Sequence, residues 1–118
     1  MRRLTASVLA LALAIPLAAC NGAAHDRYAV AKALIADKCA ACHKVPGVAS
    51  AVGMVGPPLA GIARRQIIAG KFANTPGNME RWIMHPQHYL PGTAMPEMGI
   101  TAPQAKVITD YLNTLDRP

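Results

Sequence analysis

The sequence Cys39-Ala40-Ala41-Cys42-His43 constrains the fold of this chain more than any other feature. Two thiols two residues apart lie on one helical turn, and a histidine follows directly. This C-x-x-C-H spacing is the attachment signature of c-type haem. The two thiols bond the vinyl-derived carbons of one porphyrin, and the histidine lies beneath the iron. The chain is therefore predicted to fold around one covalent haem held by Cys39, Cys42 and His43.

Two other kinds of site also use a C-x-x-C pair. A structural zinc ion needs two further ligands, and His25, His85 and His88 are available but form no second paired motif. A thioredoxin-like redox site needs a βαβ context, and no such pattern is visible. Haem attachment is favoured over both alternatives.

The first 17 residues are typical of an export signal. Arg2 and Arg3 form a positive start, and an apolar stretch follows over residues 4–17. This stretch is shorter than the ~20 residues that a transmembrane helix needs. It is instead typical of the apolar region of a signal peptide.

The sequence Leu17-Ala18-Ala19-Cys20 resembles a bacterial lipobox. This resemblance implies removal of residues 1–19 and thioether lipidation of Cys20; the alternative is an ordinary signal peptide that leaves a free thiol. Residues 20–25 then form a tether of at most about 20 Å to a haem domain over 26–118. We expect an exported, lipid-anchored protein on the periplasmic side of a bacterial membrane.

The net charge is too small to indicate nucleic acid as a partner, and none is expected. The chain has 12 Lys+Arg against 6 Asp+Glu, a formal charge of +6. Loss of Arg2 and Arg3 leaves 10 against 6, or +4, and two haem propionates would lower this further. No basic run with interleaved aromatic residues is present. A modest positive face is suited to steering an acidic redox partner, although a solvated basic surface explains it equally well.

The pattern of caps, prolines and apolar residues predicts an all-α domain of three or four short helices. Asp26 can cap a first helix that runs from Arg27 towards Cys39. A short helix is expected near residues 63–67, with a turn at Gly70. No segment shows a convincing strand pattern.

Two later helices have clearer boundaries. Thr75-Pro76 predicts a helix start, and Pro86 predicts that this helix stops at His85. Residues 87–99 are predicted to form an extended loop. The spacing of Thr101 and Gln104 is that of a capping box, and it opens a last helix with an apolar face over 107–115.

The predicted core is small for a stable domain. Aromatic residues make up only 4% of the chain, and a domain of about 90 residues is marginal without additional buried apolar surface. A buried porphyrin would supply that surface.

Met95 is the candidate for a second iron ligand. It lies in the proline-rich segment Pro91–Pro96, far downstream of His43. A soft thioether favours ferrous iron and raises the reduction potential. Gap filling in a core is the alternative for each remaining methionine, namely Met54, Met79, Met84 and Met98.

These motifs together resemble class I (mono-haem) bacterial cytochrome c. The order of C-x-x-C-H at 39–43, G-P-x-L at 56–59, W-I-x-x-P at 82–86 and P-G-T-x-M-P at 91–96 matches that family. The resemblance extends to the closing helix and covers nearly all of the mature chain. It implies a small all-α fold with crossed N- and C-terminal helices.

The resemblance also implies roles for single residues. Cys39 and Cys42 form thioethers, His43 is the proximal ligand, and Met95 is the distal ligand. The carbonyl group of Pro57 accepts a hydrogen bond from the other imidazole nitrogen of His43, which fixes its tautomer. Competing distal ligands are Met98, and, for a bis-histidine haem, His85 or His88.

The resemblance implies three further contacts. Trp82 either donates its indole N–H to a haem propionate or packs on the haem edge. Arg64 or Arg65 pairs with a propionate, unless both are surface charge. Tyr111 is expected to pack against the first helix near Val30 and Leu34. Few lysines surround the expected haem edge, which speaks against strongly charge-steered docking.

Three functions fit this pattern. The first is a one-electron carrier tethered near membrane oxidases or dehydrogenases. The second is a fixed subunit through which electrons enter such a complex. The third is peroxide reduction or gas binding, which needs an open distal site. No Ser/His/Asp set, phosphate-binding loop or paired carboxylate site indicates another enzyme activity.

Overall fold

The computed structural model describes residues 26–118. The predicted signal peptide, Cys20, the tether and His25 lie outside this range. Within it the chain forms four α-helices, a 3₁₀ helix and a two-stranded hairpin. In order these are α1 (Ala29–Lys38), the 3₁₀ helix (Ile62–Arg64), β1 (Ile67–Ile68), β2 (Phe72–Ala73), α2 (Pro76–Met84), α3 (Pro86–Tyr89) and α4 (Ala102–Leu112).

The start of α1 differs slightly from the prediction. A carboxylate oxygen of Asp26 accepts the N–H of Tyr28 at 3.0 Å, and the Asp26 carbonyl accepts that of Ala29 at 2.9 Å. These two bonds close a turn that precedes the helix. Asp26 therefore stabilises that turn and is not the capping residue of α1. The helix starts at Ala29, two residues later than expected.

The capping residues of α2 and α4 lie where the sequence predicts them. Thr75 Oγ1 accepts the N–H of Asn78 at 3.2 Å at the start of α2, and His85 is its C-cap. At the start of α4, the N–H of Thr101 donates to Gln104 Oε1 at 2.9 Å. Both helices begin with a side chain that satisfies a backbone group left free by the first turn.

Two short elements were not predicted. Residues 87–99 are not entirely a loop, because α3 begins at Pro86, where a missing N–H costs nothing. The expectation of no strand is also wrong, since Ile68 pairs with Phe72 in a small antiparallel hairpin. The expected turn at Gly70 is confirmed, and this glycine has a φ of +66°. Two-residue strands are too short to show an alternating pattern.

Helix α4 lies at the centre of the fold and packs against α1 and α2. The Tyr111 ring lies 5.4 Å from the Tyr28 ring, and its hydroxyl donates to the Pro46 carbonyl at 2.6 Å. The expected contact between Tyr111 and the first helix is therefore made at the helix start. Val30, which was expected to take part, is 66% exposed.

The all-α prediction is confirmed, and helices from the two ends of the described range form one core. Its fully buried apolar residues include Ala31, Ile35, Ile83, Ile108 and Leu112. Among the described residues, no helix is both long enough and apolar enough to cross a bilayer.

Candidate haem site

The C-x-x-C-H motif directly continues α1. Cys39 is the C-cap of that helix, and its carbonyl accepts the N–H groups of Cys42 at 3.1 Å and His43 at 2.9 Å. These bonds keep the motif in a tight turn. Neither cysteine forms a disulfide and both are half-buried, and they line the same cleft as His43.

The imidazole of His43 is held by one hydrogen bond. Its Nδ1 lies 2.8 Å from the Pro57 carbonyl oxygen. A carbonyl oxygen only accepts, so Nδ1 carries the proton and Nε2 keeps a free lone pair. Nε2 is thus the nitrogen left to bind a metal, in the arrangement that orients metal-ligating histidines. The bond to Pro57 is the one that the resemblance implied.

Gly56 allows the backbone to approach this imidazole closely. Its N–H donates to the Cys42 carbonyl at 2.7 Å. A Cβ atom at Gly56 would lie only 2.3 Å from Cε1 and 2.7 Å from Nδ1 of His43. A side chain here would therefore push the imidazole away from Pro57.

Gly56→Ala is expected to disturb the site through this collision. Overpacking of this kind costs about 1–3 kcal/mol, so the variant should show less bound haem per chain and unfold at a lower denaturant concentration. Gly77→Ala is the matched control, because nothing lies within 4 Å of a Cβ at Gly77 in α2. Equal haem content and stability in the two variants would show that Gly56 does not position His43.

A cleft of about 650 Å³ lies beside the C-x-x-C-H motif and is lined by residues of α1, α2 and α4. This volume is within the range of about 300–1,000 Å³ for cofactor sites. The thiols and imidazole lie on one wall, and apolar side chains form most of the rest. Residues that line it include Ile35, Leu59, Ile68, Trp82, Ile83, Leu90, Met95, Met98, Ile108 and Leu112. The walls thus fit an apolar macrocycle with a covalent attachment point and a nitrogen ligand.

The structure separates the candidate distal ligands into two groups. Met95 and Met98 both line the cleft, whereas His85 and His88 do not. Met79 also lines it, but its side chain is 4% exposed and is part of the apolar core. Of the distal ligands proposed from the sequence, Met95 and Met98 therefore line the cleft and the two histidines do not.

The two arginines differ in position. Arg64 is exposed and does not line the cleft, whereas Arg65 does. The Arg65 guanidinium also donates to the carbonyl oxygens of Pro58 at 2.5 Å and Ala60 at 3.3 Å. These bonds turn Arg65 inwards, so Arg65 replaces Arg64 as the candidate for a propionate contact. Trp82 lines the cleft with its half-buried ring, 6.2 Å from Phe72.

The thiol chemistry differs from that of a dithiol redox site. Burial raises the pKa of the Cys39 thiol to about 11, and the neighbouring Cys42 adds to this effect. Reactive C-x-x-C thiols have a lowered pKa. Within residues 26–118, no three His, Cys, Asp or Glu side chains come together as a metal site. The raised pKa of Cys39 is thus the opposite of the lowered pKa that a dithiol redox site uses.

Gln87 is a site residue that the sequence does not indicate. Its side chain donates hydrogen bonds to the carbonyl groups of Thr93 and Met95. A lone glutamine in a predicted loop belongs to no motif, so no sequence signal points to it.

Comparison with known proteins agrees with this geometry. The Cytochrome c family profile matches residues 28–116. The chain is also similar to cytochrome c oxidase subunit 2 of Alkalihalophilus pseudofirmus, with 37% identity over 60 residues. That match covers 51% of this chain and 17% of the relative. The chain therefore belongs to the cytochrome c family, and it is a c-type electron-transfer protein with covalently bound haem.

Proposed function

We propose that the protein is a membrane-tethered one-electron carrier with a single haem ligated by His43 and Met95. The observation that carries this proposal is the cleft itself, which is lined by Cys39, Cys42, His43 and Met95 together. An attachment point, a nitrogen ligand and a thioether thus lie around one apolar space.

When the haem is bound, it would supply an iron centre that exchanges one electron. The residues around the haem determine how readily that iron gains or loses the electron. The hydrogen bond from His43 Nδ1 to Pro57 at 2.8 Å fixes the imidazole in one tautomer and one plane. A Met95 thioether bound to that iron would favour the ferrous state and a higher potential. Ligation by both His43 and Met95 would leave no position open for a substrate, which suits electron transfer.

The apolar walls support the same function. Ile35, Ile83, Ile108 and Leu112 are buried side chains that give the cleft apolar walls. Apolar walls lower the local dielectric constant around the site. Trp82 and Arg65 line the cleft with polar hydrogen-bond donors. We propose that both side chains donate hydrogen bonds to the carboxylates of the haem propionates.

Membrane attachment is the second part of the proposal. Residues 1–19 are removed, Cys20 carries lipid, and residues 20–25 tether the domain 26–118 to the periplasmic side of the membrane. The support is the lipobox-like sequence and a third cysteine that the haem does not need. Such a carrier would pass electrons between neighbouring membrane complexes.

Cys20→Ala is expected to move the haem protein from the membrane to the soluble periplasmic fraction, because the lipid attachment atom is lost. Fractionation of the cells followed by a haem stain of the membrane and soluble fractions measures this. His25→Ala is the matched control in the tether and should remain on the membrane. A Cys20→Ala protein that stays membrane-bound would contradict the anchor.

A second candidate is a fixed subunit through which an oxidase receives electrons. The similarity to cytochrome c oxidase subunit 2 favours it, although the match covers 17% of that protein. Membranes solubilised in mild detergent distinguish the two functions. A free carrier separates from oxidase activity on a sizing column, whereas a subunit elutes with it.

A further inference from the structure

We infer that Gln87 is a positioning residue that holds the Met95 thioether in the cleft. This inference rests on the proposed ligation by Met95. It concerns a residue outside all the motifs of the family resemblance. Gln87 lies in α3, and its contacts reach across to the loop over residues 92–97.

Both the amide nitrogen and the amide oxygen of the Gln87 side chain form hydrogen bonds with this loop. Nε2 donates to the carbonyl oxygens of Thr93 at 2.8 Å and Met95 at 2.7 Å. Oε1 accepts the N–H of Gly92 at 3.3 Å. One half-buried side chain therefore makes three bonds to the four residues that end in Met95. We call these three bonds the Gln87 clamp.

The backbone of Gln87 adds a fourth bond to the loop, on the other side of Met95. Its N–H donates to Glu97 Oε1 at 3.0 Å. The preceding Pro86 is fully buried, so α3 is anchored in the core. The loop is thus tied to a fixed element on both sides of Met95.

The clamp also distinguishes between the two thioethers of the loop. Met98 lines the cleft like Met95, yet the bonds of the clamp end at residues 92, 93 and 95. Ordering this segment in advance reduces the conformational entropy lost when the thioether is held by a metal. The geometry therefore favours Met95, and removal of the clamp should weaken its hold.

The test is displacement of the native ligand in the haem-loaded full-length protein. Imidazole is titrated into the ferric protein, and loss of the methionine–iron charge-transfer band is followed. Gln87→Leu removes the clamp but keeps the backbone N–H bond to Glu97. Since the variant loses the bonds to the two half-buried carbonyl groups and such a loss shifts an equilibrium about tenfold, it should release the thioether at about one tenth of the wild-type imidazole concentration.

Gln104→Leu is the matched control. It removes the glutamine side chain that accepts the Thr101 N–H at the start of α4, and this residue does not line the cleft. It should lower thermal stability without changing the imidazole midpoint. Gln87→Glu should resemble Gln87→Leu, because a carboxylate cannot donate to the two carbonyl groups. It also provides the test if Gln87→Leu does not accumulate.

An imidazole midpoint within twofold of the wild-type value in Gln87→Leu or Gln87→Glu would overturn the inference. Amide hydrogen exchange gives a measurement that does not depend on the ligand. The N–H groups of Gly92 and Met95 should exchange about tenfold faster without the clamp, and unchanged rates would also overturn it. If Met95→Ala instead keeps the charge-transfer band, the ligand assignment fails, while the exchange rates still report on the clamp.

Discussion

Met95→Ala is expected to lose the methionine–iron charge-transfer band of the ferric protein. The reduction potential should fall by about a few tenths of a volt, because the axial ligands set haem potentials over a range of about 0.8 V and a thioether raises the potential. Absorption spectra recorded during a redox titration measure both effects. The opened position should also bind small ligands such as imidazole more readily.

Met98→Ala is the matched control for this prediction. Met98 lines the same cleft three residues further along the chain, so its loss also leaves a small gap in the wall. It should keep the band and most of the potential. Loss of the band in Met98→Ala, with retention in Met95→Ala, would assign the distal ligand to Met98.

The double substitution Cys39→Ala and Cys42→Ala is expected to abolish covalent haem and stable folding together. The cleft of about 650 Å³ is several times larger than an engineered cavity of about 150 Å³ that a folded protein tolerates. Without the macrocycle, the apolar walls of the cleft would have no apolar partner to pack against. The haem stain after denaturing electrophoresis and the circular dichroism of the purified chain measure the two losses.

Cys20→Ala is the control, because it removes the third cysteine of the chain and should retain the haem stain. A double variant that keeps the stain would contradict attachment through Cys39 and Cys42. Cooperative unfolding of the double variant without haem would show that the core does not depend on the cofactor.

The helices with strong local signals were predictable from the sequence. Thr75 with Pro76 marks the start of α2, and Pro86 marks the residue where it must end. Thr101 and Gln104 likewise mark the start of α4. In these segments the information is local, because capping and proline geometry involve residues close in sequence.

The elements that the sequence did not indicate depend on tertiary contacts. Helix α3 has four residues and is anchored by the burial of Pro86. Each strand of the hairpin has two residues. Neither length is sufficient for a periodic pattern, so only the folded core selects these conformations.

The site residues also differ in whether the sequence alone could predict them. Cys39, Cys42 and His43 form a motif whose spacing defines its chemistry. Arg64 and Arg65 are adjacent and chemically equal, and only the folded chain turns Arg65 towards the carbonyl oxygens of Pro58 and Ala60. Sequence patterns therefore identify the attachment chemistry, but not which neighbouring side chain points inwards.

A redox-titrated absorption spectrum of membranes that contain the full-length protein tests the central claim most directly. We expect one covalent haem that titrates as a single one-electron step at high potential, with the methionine–iron band in its ferric form. Titration at low potential without that band, or recovery of all the haem in the soluble fraction, would contradict a tethered carrier ligated by His43 and Met95.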